Sequence, residues 1–359
     1  MWREGCRRPL STCLVLIGLL VGSTALAQSR NDSDVIRLRI LGGLDGVTQY
    51  TKHEQPFWTK TLAARSRGRI QAEITPVDRA GIRVQESLSL LQLGVISFGT
   101  SLLSQVGALA PELAAADLAG LNSDIDSARR AVSASRPVLE KTLRERFGVE
   151  LLAVYAYPAQ VIYCKNAFNG LSDLKGRKVR TSSSSQADLI EALGAAPVVT
   201  SFAELMPYMR SGGIDCAITG TMSGHTIGLN EITTHVHAMP LNWGLSIFAA
   251  NAAAWKALPS DVRVLIKDEL PKLEAAIWSE AQKETLEGLA CNTGQSRGCS
   301  NARRGNMVEV PVTSQDEQLR RDVFSSAVLP RWIQRCGAAC ARTWEQTFGP
   351  VTGISPKTH

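Results

Sequence analysis

The chain has 359 residues, 44% of them hydrophobic, which is enough for one large core or two smaller ones. Its 39 basic and 33 acidic residues give a net charge of +6 with the basic residues dispersed, and this excludes the concentrated positive field of a nucleic-acid-binding protein. Beyond the first 27 residues no apolar run approaches the roughly 20 residues that span a bilayer, so the remainder is expected to be soluble.

The amino terminus reads as a secretory signal. Arg3, Arg7 and Arg8 form a positive region, Leu10 to Val21 an apolar run, and Ala25-Leu26-Ala27 supplies the small residues that signal peptidase reads. The apolar run is too short for a membrane anchor at roughly 1.5 Å per residue. Cys13 lies inside it, without the small-residue context of a lipid-accepting cysteine. Residues 1–27 are therefore read as a signal peptide and the rest as a periplasmic protein. Six of the eight cysteines remain after cleavage, an even number in an oxidising compartment. Cys291 and Cys299 bracket a polar, turn-rich loop, and Cys336 and Cys340 a Gly-Ala-Ala spacer; both are expected to close as local disulfides. Cys164 and Cys216 are left as buried thiols or a third pair. No histidine is near these pairs in sequence, so no zinc site is expected.

Ile36, Leu38 and Ile40 alternate with Arg37 and Arg39, the period of a strand. An amphipathic stretch from 49 to 66, a second strand at 70–74, a helix at 87–93 ending at Gly94, and a buried strand at 95–99 complete a β-α-β-α-β rhythm. Such a rhythm implies a mostly parallel sheet with ligand loops at its strand ends, here 42–50 and 99–102. Residues 124–147 read as a helix with a kink at Pro137, and 149–164 as an extended stretch that Pro158 interrupts. The rhythm then restarts: a strand at 178–181, a helix at 184–193, a strand at 197–199, a helix capped by Ser201 and Glu204, and a strand at 214–218. Residues 245–251 read as a return strand. Ser260 opens a long helix with Val262, Ile266, Leu270, Leu273 and Ile277 at helical spacing, and Pro271 is expected to kink or break it. Two similar α/β units joined by extended crossovers are the organisation of a hinged, two-lobed binding protein.

Catalytic signatures are missing. Gly220-Thr221-Met222-Ser223-Gly224 has its serine one place late for a nucleophile elbow, and there is no Walker A loop and no G-x-G-x-x-G. Ser223 and His225 are too close in sequence to make a nucleophile and its base readily. His235 and His237 share one face of a strand without a third metal ligand, and read as surface or interface histidines. The informative stretch is Asp173 to Ser182. Arg180 ends a strand in the ligand zone, where its fork suits a carboxylate, and Thr181 to Ser185, Ser182 included, supply hydroxyls and helix-start amides. Spacing alone does not choose between a ligand anchor and a solvated surface charge for Arg180.

Asp173-Leu174-Lys175-Gly176 with Lys178-Val179-Arg180, then Ala192 to Ala195, Phe202-x-Glu204 and Gly213-Ile214-Asp215, together resemble the ordered motifs of TRAP-transporter solute-binding proteins. These are the periplasmic components of tripartite ATP-independent transporters. Gly68 to Ile70, Gln92 to Gly94 and Leu258-Pro259 extend the resemblance over 36–292. It implies that Arg180 forms the main salt bridge to a substrate carboxylate, and that Phe202, Thr219 and Thr100 are ligand contacts. Gln160 stands where some acid-binding members carry a second arginine, which favours a ligand with one carboxylate and a neutral remainder. Trp243, just before the return crossover, is a candidate for stacking on the ligand.

The expectation is an α/β, two-lobed periplasmic-binding-protein-like fold with a hinge and a long helix spanning the lobes. Its parts are a signal peptide (1–27), a first lobe (28–157), a second lobe (158–244), and a segment completing both (245–359). The expected ligand is a small organic acid, with TRAP permease subunits of the inner membrane as partners and no cofactor, metal or nucleic acid. Rival readings are a periplasmic hydrolase using Ser223 and His225, and a receptor feeding a sensor kinase.

Overall fold

Strand β1, Ile36–Gly42, turns Leu38 and Ile40 inward and leaves Arg37 and Arg39 exposed, as period-two alternation demands. The computed structural model describes residues 35–300 and 303–355; the segment read as a signal peptide lies outside the described residues. Around β1 assemble β2 (Ile70–Pro76), β3 (Phe98–Leu102) and β4 (Val149–Tyr155). The second sheet contains β5 (Gln160–Cys164), β6 (Lys178–Thr181), β7 (Ala196–Val199), β8 (Cys216–Gly220) and β9 (His235–Asn242). The chain then returns as β10 (Ser246–Asn251) to the first sheet and later supplies β11 (Val308–Val310) to the second. The orders are β2-β1-β3-β10-β4 and β11-β9-β5-β8-β6-β7.

In each sheet the strands of the βαβ rhythm run parallel, the strand entered directly from a crossover, β5 or β10, runs the other way, and β11 joins β9 in parallel. Thus β10 is antiparallel to β3 and β4, and β5 to β8 and β9. The chain changes sheet at 156–159 and again at 243–245, and these two passages are hydrogen-bonded to each other from the Tyr157 N–H to the Trp243 carbonyl at 3.0 Å.

The 33-residue helix Ser260–Asn292 crosses both sheets. Its first half buries Val262, Ile266, Leu270 and Ile277 in a core with Trp58 and Phe248, whose rings lie 5.0 Å apart. Each such side chain contributes roughly 1.5–3 kcal/mol on burial. Its second half reaches the other lobe, where Gly288 meets the backbone of Thr221 and Met222 without room for a side chain. The helix runs unbroken through Pro271, and Ile125–Phe147 runs unbroken through Pro137, because packing along their full lengths outweighs one lost hydrogen bond. Asp124 caps the latter by accepting from the Ser127 N–H at 2.7 Å, and Gly148 ends it in the left-handed region.

All three cysteine pairs are bonded. Cys164–Cys216 joins register partners of β5 and β8, Cys291–Cys299 closes the turn after the long helix, and Cys336–Cys340 staples the carboxyl-terminal helices. His237 is not a surface residue: it is fully buried, its Nε2 3.5 Å from Asp316 and its ring stacked on Phe168. The segment after β11 covers β9, which its alternating sequence alone does not reveal.

Candidate ligand-binding site

Arg180 is the third residue of β6, and its side chain turns towards the junction of the lobes. Nη1 donates to the Ile218 carbonyl at 2.8 Å and Nη2 to the Thr200 carbonyl at 2.9 Å, which fixes the plane of the guanidinium. Its Nε–H is buried without a partner, and the residue is 2% exposed. Among the described residues no carboxylate lies within ion-pair distance of it. Burial lowers its pKa to about 10, against the attraction of Glu204, so it stays protonated at neutral pH. Glu204 is occupied elsewhere, accepting from the Ser201 N–H at 3.0 Å and the Ser201 hydroxyl at 2.8 Å.

Arg180 faces a cavity of about 50 Å³ between the lobes. A water molecule needs roughly 10–15 Å³ of such space, so only a compact solute fits. Leu44, Val84 and Leu102 of the first lobe form an apolar wall on which Phe202 of the second lobe packs. Gln160, Ser182, Ser201, Thr219 and Ser223 are its uncharged polar lining on the second lobe, with Ser104 and Gln105 on the first. Gln105 Nε2 donates across the cleft to the Ser182 carbonyl at 2.9 Å.

Behind this wall, Asp117 secures the return crossover. Its carboxylate accepts from the backbone N–H groups of Trp243 (2.8 Å) and Leu245 (2.9 Å) and from Asn242 Nδ2 (3.0 Å). Burial raises its pKa to about 6, against those hydrogen bonds. Gln186 Nε2 donates to Asn242 Oδ1 at 2.8 Å, and Gln186 Oε1 accepts from the N–H and hydroxyl of Ser182 at 2.7 and 3.2 Å. A continuous polar chain therefore runs from the hinge to the cavity.

The structure brings Arg180, Ser182, Phe202, Thr219 and Gln160 together around one cavity and leaves two expected contacts outside its wall. Thr100 is wholly buried, its hydroxyl donating to Glu54 at 2.8 Å. Glu54 also accepts from the Gly43 N–H at 2.6 Å and from Gln49 at 3.1 Å, and burial raises its pKa to about 7. Thr100 thus supports the 42–50 loop, which contributes Leu44. Trp243 points into the hydrophobic core, and only its backbone N–H, held by Asp117, bears on the site. Sequence spacing misses Ser104 and Gln105 because β3 continues to Leu102 instead of stopping at Gly99, which moves the strand end onto them. Tyr157 and Gly244 line the cavity from the two crossovers. Ser223 reaches the cavity, but His225 lies beside Asn292 and Arg303 with its pKa lowered by burial; no hydrogen bond joins the two among the described residues.

Two α/β lobes closing on a buried cation and a small cavity define the class of solute-binding receptors. Residues 47–309 match the family model of bacterial extracellular solute-binding protein, family 7, and the chain belongs to that family, the periplasmic solute receptors of TRAP transporters. The C4-dicarboxylate-binding periplasmic protein DctP of Rhodobacter capsulatus is 25% identical, over 85% of this chain and 94% of its own. Among solved structures, a Bordetella pertussis extracytoplasmic solute receptor binding pyroglutamic acid superposes with a TM-score of 0.77 at 21% identity, covering 88% of this chain and 100% of that one. A TRAP periplasmic solute-binding protein of Desulfovibrio salexigens with bound orotic acid gives 0.76 at 16% identity, over 88% and 99%. At these identities the structural likeness speaks to fold.

Proposed function

We propose that this protein captures a compact monocarboxylate in the periplasm and delivers it to TRAP permease subunits in the inner membrane. The observation that carries this reading is Arg180, a buried cation with an unpartnered Nε–H facing a cavity that has no other charged lining residue among the described residues. A protonated guanidinium in such a place calls for an anion. One cation matches one carboxylate. A second carboxylate would face neutral Gln160, whose Nε2 already donates to the Pro158 carbonyl at 2.9 Å. The apolar wall of Leu44, Val84, Leu102 and Phe202 suits the uncharged remainder of the ligand. Acids of this kind occur among the ligands of similar receptors, pyroglutamic and orotic acid in two solved structures, alongside the C4-dicarboxylates of the Rhodobacter capsulatus protein, so the choice between them rests on the lining of this cavity.

Calorimetry on the mature protein with pyroglutamate, orotate, lactate, malonate and succinate tests it. Monocarboxylates should bind more tightly than the two diacids. Arg180→Ala should weaken binding by about 2–5 kcal/mol, or roughly thirtyfold to several thousandfold. Preference for a diacid, or unchanged affinity in a folded Arg180→Ala protein, would overturn it.

A further inference from the structure

The donors and acceptors of the cavity wall have a direction that their partners impose. Side-chain amides ordinarily leave nitrogen and oxygen interchangeable, but here both ends of the polar chain are fixed. At one end the Asp117 carboxylate takes the backbone N–H groups of Trp243 and Leu245. As an ion it only accepts, so Asn242 turns Nδ2 towards it and offers Oδ1 to Gln186. At the other end the backbone N–H of Ser182, which only donates, meets Gln186 Oε1 at 2.7 Å. Both ends assign the same orientation to Gln186. The Ser182 hydroxyl, 3.2 Å from that oxygen, therefore gives its single proton to Gln186. Ser201 is committed in the same way, its hydroxyl donating to Glu204 Oε2 at 2.8 Å. Two lining hydroxyls thus have only lone pairs left for the cavity.

We propose that Ser182 and Ser201 are specificity-determining acceptors, and that the cavity selects acids carrying an N–H or O–H donor next to the carboxylate-bearing carbon framework. This deepens the monocarboxylate reading and rests on it: Arg180 takes the carboxylate and the serines take the donor. An isostere with an oxygen or fluorine in place of the donor would set lone pairs against lone pairs and forfeit the hydrogen bond. It should be rejected although its shape and charge are unchanged.

Matched pairs of probes test this: pyroglutamate against 5-oxotetrahydrofuran-2-carboxylate, in which ring N–H becomes O, and lactate against 2-fluoropropionate. Affinities are measured by calorimetry for the wild-type protein and for Arg180→Ala, Ser182→Ala and Ser201→Ala, each checked for folding by thermal unfolding. In every pair that binds, the donor-bearing acid should bind roughly tenfold tighter or more. That ratio should collapse towards one in at least one serine variant. Arg180-dependent binding that is indifferent to the donor overturns this proposal alone, as does a preference that survives in both serine variants. Failure of all four acids to bind the wild-type protein overturns the monocarboxylate reading together with this one.

Discussion

Gln105 and Ser182 belong to different lobes, and the hydrogen bond from Gln105 Nε2 to the Ser182 carbonyl, 2.9 Å long, spans the cleft between them. Such a bond exists only while the lobes are together, so it stabilises the closed form. Gln105→Ala should weaken solute affinity about three- to tenfold, the worth of one net hydrogen bond, chiefly through faster release. Stopped-flow release rates equal to wild type would show that the latch contributes nothing.

Gly170 has extended backbone, so space alone limits it. A Cβ there would lie 2.5 Å from Asp316 Oδ1. Asp316 has little freedom to retreat, since it accepts from the Leu171 N–H at 2.8 Å and the Thr313 hydroxyl at 2.6 Å while facing His237. Gly170→Ala should cost about 1–3 kcal/mol in urea unfolding while leaving solute affinity unchanged. A loss within experimental error would mean that the contact yields freely.

Glu54 carries a pH dependence whose sign follows from its burial. Its pKa is raised from the ordinary 4.5 to about 7, so the folded state keeps the proton to higher pH than the unfolded chain. The stability this contributes is fully present below the unfolded pKa and is lost as pH rises through about 7. Relative to Glu54→Gln, which is neutral throughout, the wild-type protein should lose on the order of 3 kcal/mol between pH 4.5 and 8. The comparison must be a difference, because half-buried His53 and buried His225 and His237 have lowered pKa values and act in the opposite sense. Parallel urea titrations of both proteins at pH 5 and pH 8 measure it, and a pH-independent difference would refute the assignment.

The disulfides should rank by the length of chain they close. Cys164–Cys216 spans 52 positions, against 8 and 4 for the other two. Replacing both Cys164 and Cys216 by alanine should cost about 4 kcal/mol by chain entropy, and replacing Cys336 and Cys340 distinctly less. Denaturant midpoints in the reverse order would place the stabilisation elsewhere than in the unfolded chain.

The β-α-β rhythm, the strand holding Arg180 and the helix after it were legible because each rests on local period and capping. The strand Lys178–Thr181 and the capped helix Phe202–Arg210 are instances. What short-range pattern does not carry is which residues meet across the lobes. Gln105, Tyr157 and Leu44 reach one cavity from three distant segments, and Thr100 is diverted from it by Glu54, a partner 46 positions away. A break at Pro271, one of the two outcomes its sequence allows, does not occur for a related reason: tertiary packing holds the helix on both sides of it.

The position of β10 in the first sheet governs the order in which the molecule can be completed. Strands β3 and β4 do not touch; β10 lies between them and is antiparallel to both. Its residues follow those of β5 to β9, so a chain that emerges amino terminus first must release most of the second lobe before the first lobe can close its sheet. Until then β3 and β4 present bare edges, the surfaces most open to mispairing. Neither lobe is an independent folding unit that could be excised at the crossovers, and the two are expected to gain their structure in a single cooperative step.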